Sequence, residues 1–436
     1  MLTILPHSPA TRQHHFVQVL STEFRFLWLG QIAAQFATNM MLFVLAIRAY
    51  QITGTNTAVS GLFLTYGIPS LVFGMLAGVF VDHLDKRAVL SATSIVRSVL
   101  VLGLLFLSHN LWAVYIIAFA NAVITQFYVP AEAPLIPRLV GNRLLVSANS
   151  LFSFTFYSSL SMGFILAGPL LRLMGGQGTF LFISFCYLAA AAATARISAQ
   201  EENVEGIARA LKHDLPYLVR RTMVHLREGL RVVTHNRKLA EAIFLLSGTQ
   251  VILAILGTLG PGFADRVLEI DVRDASVIIL APTVLGILVG AVWIGSYGFR
   301  FKAANLINTG VVSAGALLIL ISLLLRLERQ GPTSWLFTHT IVIPLGLLLF
   351  FLLGVANSFL DVPANSTLQK EATGEMRGRI YGILAAAVGG IGILPVIAGG
   401  VLADALGIGK VLLGTGTAIL AYGAYRTLYP IRYNRG

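Results

Sequence analysis

Arg97, Glu132 and Asp361 stand inside, or at the ends of, long apolar runs. An ionised side chain at membrane depth is costly, so each is a candidate for holding or moving charge. Arg97 is the deepest cation, about ten residues into its run. Paired with a carboxylate it would belong to a gate or proton relay; otherwise it would rest against a backbone carbonyl or a serine. Glu132 and Asp361 close two matching runs near a water boundary, where a buried acid exchanges a proton and a solvated one does nothing special. A neutral set accompanies them. Gln31, Gln35 and Asn39 recur at intervals of four and share one helix face, and amides do not belong against lipid. Asn121, Thr125 and Gln126, then Ser247 and Gln250, then Asn357 and Ser358 make further polar patches in apolar runs. With Phe36 and Phe127 beside them, such groups could orient a bulky ligand. The alternative is hydrogen bonding between helices without a ligand. No catalytic triad, paired carboxylates or metal-ligand cluster emerges; His14 and His15 are a lone pair in a tail. No enzyme activity, cofactor or metal is expected.

The elements that carry these residues follow from composition. Hydrophobic residues make up 56% of 436 and charged residues 11%, against about 25% charged in ordinary soluble domains. Twelve apolar runs of roughly 20 residues, each long enough to cross a bilayer as helix, fall between 24 and 429. The expected fold is an all-α polytopic membrane protein of twelve transmembrane helices in two six-helix pseudo-symmetric bundles. Residues 1–23 form a tail, 24–196 the first bundle, 197–239 a polar linker, 240–429 the second bundle and 430–436 a second tail. From Leu215 to Val233 the linker has the apolar spacing of an amphipathic helix lying on the membrane surface. Residues 1–23 lack the apolar core and cleavage site of a signal peptide. Cys186 is the only cysteine, so no disulfide framework exists.

The net charge of +12 is a matter of placement. With the N-terminus in the cytoplasm, the inner segments hold 23 of the 31 Lys and Arg. That bias puts both termini in the cytoplasm and removes nucleic acid as the explanation for the basic excess. No GxxxxGK[ST] loop is present to bind a nucleotide phosphate.

The two halves echo one another. Phe127-Tyr128-Val129-Pro130-Ala131 matches Leu360-Asp361-Val362-Pro363-Ala364, and Gly74-Met75-Leu76-Ala77-Gly78 matches Gly286-Ile287-Leu288-Val289-Gly290. A membrane chain of two similar halves is the mark of a secondary transporter, with its substrate site where the halves meet.

Between the second and third runs stands Gly78-Val79-Phe80-Val81-Asp82-His83-Leu84-Asp85-Lys86-Arg87. Gly74 and Gly78 give a smooth strip for a close helix neighbour. Asp82 ends its run as a carboxylate able to face a helix N-terminus or an arginine; Arg377 and Arg379 are the obvious partners for such a latch. The segment resembles the loop motif of the major facilitator superfamily through Gly78, Asp82, Lys86 and Arg87, with His83 where Arg or Lys is usual. Phe24 to Gln31, Tyr50 to Thr55, Val129-Pro130-Ala131 and Arg377-Gly378-Arg379-Ile380-Tyr381-Gly382 resemble elements of its macrolide-efflux and enterobactin-exporter-like branch. The resemblance implies that the first, fourth, seventh and tenth helices line a central cavity, so the polar patches above would face it. It also implies a substrate class of amphiphilic small molecules (drugs, macrolides, siderophore-like metabolites) exported by alternating access, with a proton as coupling ion. The expected setting is the bacterial inner membrane, as a monomer. Two other readings stay open: an uncoupled translocator of lipids or other amphiphiles, and a non-transporting sensor or scaffold in a transporter fold.

Overall fold

In hydrocarbon every backbone N–H and C=O must be satisfied within the chain, and the apolar runs meet that demand as helices. The computed structural model describes Gln18, Leu20 and residues 23–82, 84–198, 230–330, 341–372 and 376–428; these are helical and turn residues with no strand among them. The helices are α1 (Phe24–Thr53), α2 (Asn56–Asp82) and α3 (Lys86–Leu107), then one continuous run, Leu111–Thr194. That run breaks at Gly141 (φ 67°, ψ 171°) and Gly175 (φ 69°, ψ 178°) into α4 (111–140), α5 (142–174) and α6 (176–194). Positive φ with extended ψ is open to glycine almost alone, which is why the chain reverses there. The rest comprises α7 (Arg237–Arg266), α8 (Ala281–Tyr297), α9 (Ala303–Gln330), α10 (Ile343–Glu371), α11 (Met376–Ala386), α12 (Ile393–Leu406) and α13 (Ile408–Leu428). A π-helical turn, Ala387–Ile391, joins α11 to α12, and another, Ser276–Leu280, leads into α8.

Among the described residues, ten stretches are long and apolar enough to span a membrane. One of them, Ser147–Thr194, is broken at Gly175 into two helices, and α13 is a further helix of 21 residues, an arrangement consistent with twelve crossings. Large apolar side chains such as Phe106, Trp112, Leu173 and Val292 are mostly exposed, as a lipid-facing surface requires. Asparagine caps start two helices: Asn110 accepts from the amides of Trp112 and Ala113, and Asn236 from those of Lys238 and Leu239. Most of the expected linker helix, 215–229, lies outside the described residues, as does the rest of the linker from 199; 230–235 is helical.

By internal contacts the chain forms two compact units. The first comprises Met1–Phe43, Val72–Gly163 and Leu173–Tyr217. Its core gathers Phe24, Leu27, Val81, Leu90, Tyr128 and Phe152, with the rings of Phe24 and Phe152 5.5 Å apart. The second comprises Val44–Leu71, Phe164–Arg172 and Leu218–Gly436. Within it α8 lies directly on α10: a Cβ on Gly286 would stand 1.9 Å from the Phe351 carbonyl oxygen, and one on Gly354 1.9 Å from that of Thr283. The short apolar repeat found in the sequence at Gly286–Gly290 thus serves as a helix–helix contact.

Candidate functional site

In the first unit, α3 buries Arg97 to 1% exposure. Its guanidinium lies 4.3 Å from the ring centre of Tyr187 on α6 and 5.3 Å from that of Tyr128 on α4. This stacking holds a cation where water cannot solvate it. Nη1 donates to the Thr125 hydroxyl at 3.2 Å, and Nη2 reaches that of Thr38 at 3.5 Å. Both threonines donate their own protons one turn back, to the carbonyls of Asn121 (2.8 Å) and Ala34 (2.7 Å). Their oxygen lone pairs are thereby left for the guanidinium.

In the first unit several buried polar atoms have no hydrogen-bond partner among the described residues. They are Arg97 Nε, the Tyr128 hydroxyl, one Glu132 carboxylate oxygen, both amide atoms of Asn121 and the amide oxygen of Gln31. Glu132, one helical turn beyond Tyr128, is 7% exposed, and the charge of Arg97 acts on it. Buried polar atoms are normally paired, because an unpaired one forfeits its hydration. The unpartnered atoms of Arg97, Tyr128 and Glu132 form an arrangement suited to taking up water, a proton or a polar ligand group.

The other residues singled out in the sequence are more dispersed. Asn39 donates to the Gln35 carbonyl at 2.9 Å, and Gln126 to that of Ala122 at 3.2 Å, both within a helix. Gly74 meets Gln126 at an ordinary contact distance of 3.5 Å for an added Cβ. In the second unit Asp361 accepts from the Thr249 hydroxyl at 3.3 Å, Ser247 Oγ is buried without a partner among the described residues, and Asn357 is buried. Gln250 is exposed. Ser358 donates to the Ile287 carbonyl at 2.6 Å and so joins α10 to α8. Lys86 opens α3, and Arg87 donates to the Ala195 carbonyl at 2.5 Å, at the C-terminal end of α6. The side chains of Asp82, Arg377 and Arg379, and the surroundings of Gly78, lie outside the described residues.

Two polar constellations escaped the sequence. Asp404, near the end of α12, closes a clasp on the start of α2, both within the second unit. Its Oδ1 accepts from the Asn56 amide and side-chain amide, each at 3.0 Å, and its Oδ2 from the Thr57 amide at 2.8 Å and hydroxyl at 2.7 Å. Arg266 pairs with the same carboxylate at 3.4 Å and donates to the Gly54 carbonyl. A carboxylate here satisfies orphan amides and faces the positive end of the helix. Nearby contacts in the same unit are Tyr50 to Asp265 at 2.9 Å and Arg172 to Asp274 at 2.7 Å. The second constellation is a buried ion pair, Glu241 with Arg426, whose guanidinium also donates to Asn308 at 2.7 Å. Sequence separations of 185 for the pair and 348 for Asn56 and Asp404 left no local signal.

Helices of this number and apolarity, glycine-backed contacts and buried charge define a polytopic membrane transporter. The Major Facilitator Superfamily matches residues 27–397, and the chain belongs to that family. It is 22% identical to the MFS-type transporter YfiS of Bacillus subtilis over 393 residues, covering 88% of this chain and 87% of that one. It is 21% identical to macrolide efflux protein A of Streptococcus pyogenes over 410 residues, 91% of this chain and 93% of that one. Multidrug efflux pump Tap of Mycolicibacterium fortuitum is 25% identical over 377 residues, 83% and 85% of the two chains. The crystal structure of the nucleoside transporter NupG superposes with a TM-score of 0.68 at 14% identity, over 94% of this chain and all of that one. At that identity the likeness speaks for the fold.

Proposed function

We propose that this chain is a proton-coupled secondary exporter of amphiphilic small molecules, working by alternating access in a bacterial inner membrane with both termini cytoplasmic. The observation that carries this reading is the buried cluster around Arg97 and Glu132. A carboxylate with an unpartnered oxygen, beside a fixed cation, exchanges a proton when the surrounding hydration changes. Macrolide efflux protein A and the multidrug pump Tap, by their names, point to drug-like cargo. The half-buried Asp361 is the corresponding candidate in the other sequence half. In this reading the Asp404 clasp serves as one gate, and the latch expected from Asp82, Arg377 and Arg379 as the other.

The test is transport by purified protein in proteoliposomes under an imposed pH gradient, with macrolides, lipophilic cations and siderophores as the panel. The expected result is substrate-dependent proton movement in the wild type, absent in Glu132→Gln and reduced in Asp361→Asn. Transport that runs equally well without a pH gradient, and is untouched in both variants, would favour an uncoupled amphiphile translocator instead.

A further inference from the structure

A cavity of about 660 Å³ opens between α7, α12 and α13, with Val311 and Leu360 beneath it. It lies wholly within the second unit. Its walls are apolar almost throughout, and Phe244, Leu402 and Leu406 on its lining are heavily exposed, so it communicates with the bilayer. Interiors are close-packed, and an empty apolar space of this size would forfeit the contacts of every side chain around it. An apolar occupant is called for.

Two features select which one. The first is polar content. A site that orients a drug-like molecule presents several convergent polar groups. Here the uncharged polar lining side chains are Thr249, Thr415 and Tyr422, and the one Thr249 hydroxyl proton is shared between the Leu246 carbonyl at 2.8 Å and the Asp361 carboxylate at 3.3 Å. The charged lining residue is Lys410, exposed near the start of α13, with no ion-pair partner among the described residues. The second is length. From Lys410 to Tyr422 the lining follows α13 for twelve residues, which is about 18 Å of helix. One leaflet of hydrocarbon is about 15 Å thick. A single cation at the membrane boundary above a leaflet-long apolar slot matches one kind of molecule, an acidic head on an acyl chain.

We propose that this cavity is a site for an anionic phospholipid, one acyl chain filling the slot and Lys410 holding the phosphate. The ammonium reaches the head group while its stem lies along the apolar wall. The lipid stands in for protein side chains at a place where α7, α12 and α13 leave a gap, and so supports α12, the helix that carries Asp404. Nothing in this depends on what the protein transports.

Glycine supplies the test. Gly248 and Gly414 both line the cavity, and a Cβ at either meets nothing within 4 Å, so a larger side chain there has room to start into the slot and obstruct an acyl chain. Thermal unfolding of the detergent-solubilised full chain would be followed with added phosphatidylglycerol or phosphatidylcholine of identical chains. The expected result is a larger rise in midpoint with phosphatidylglycerol. Lys410→Gln should cancel the difference between the two lipids. Gly414→Leu should unfold cooperatively without added lipid yet lose the response to both, and Gly248→Leu serves in its place should that variant not fold. Equal responses to the two lipids in the wild type, or a full response in the filled variants, would overturn the proposal. So would stabilisation by a lipophilic drug, lost on filling, with phosphatidylglycerol inert, which would reassign the cavity to cargo.

Discussion

Arg426 and Glu241 are 5% and 3% exposed at the side chain and share one buried contact, so neither is solvated without the other. Removing one partner of such a pair costs about 3–5 kcal/mol, whereas replacing both with apolar residues of similar size is often neutral. Arg426→Met should therefore lower stability by that amount in denaturant unfolding in detergent. Glu241→Leu combined with Arg426→Met should recover most of it, and purely additive effects would show that the two do not act as a pair. Glu23, just before α1, is a milder case. Its carboxylate accepts from the Ser198 hydroxyl at 2.5 Å and amide at 2.9 Å, and the hydroxyl contact first, then the amide, holds its pKa below the ordinary 4.5. A depressed acid contributes stability above its unfolded value and loses it as pH falls through the folded one. The deficit of Ser198→Ala against wild type should thus be present above about pH 4.5 and vanish on acidification. A deficit constant with pH would mean that packing, not charge, is at work. At this scale Arg97 and Glu132 were legible in the sequence, because ionisable residues stand out against apolar runs. Of their aromatic and hydroxyl partners only Thr125 stood out as a polar candidate, since Tyr128, Tyr187 and Thr38 are ordinary residues until four helices bring them together.

Among the described elements, α2 has a start that depends on a distant residue. Its first amides are satisfied by Asp404, 348 positions away from Asn56. Asp404→Asn keeps the shape and removes the charge that strengthens those bonds and faces the helix dipole. The expected loss is about 1–3 kcal/mol. Hydrogen exchange should quicken at the Asn56 and Thr57 amides while the caps at Asn110 and Asn236 are unchanged. Unaltered protection at those two amides would remove the clasp from the gating scheme. Helix existence itself was plain from runs of twenty apolar residues. The breaks were less so: Gly141 and Gly175 divide what is otherwise unbroken helix because each adopts positive φ, and glycine identity does not say which of 42 will do so.

For the whole molecule, the excess of Lys and Arg on one set of connections predicts orientation. A reporter that works only in the cytoplasm, fused after residue 436, should be active, and one that works only outside should be silent. The reverse pair of results would invert the assignment of faces and with it the direction of export. Two-fold organisation was visible as weak repeats such as Val129-Pro130-Ala131 against Val362-Pro363-Ala364. The compact units do not follow the sequence halves residue for residue, because Val44–Leu71 and Phe164–Arg172 pack with Leu218–Gly436.

The sequence by itself determined that this chain is a helical membrane protein of the transporter kind, because bilayer thickness, backbone satisfaction and charge placement act on local composition. Tertiary structure decided which polar atoms stay unpaired around Arg97, that Asp404 caps α2, that Glu241 meets Arg426, and that α7, α12 and α13 leave an apolar slot. Those outcomes depend on which side chains from distant helices share a few ångströms, and no spacing along one helix encodes that.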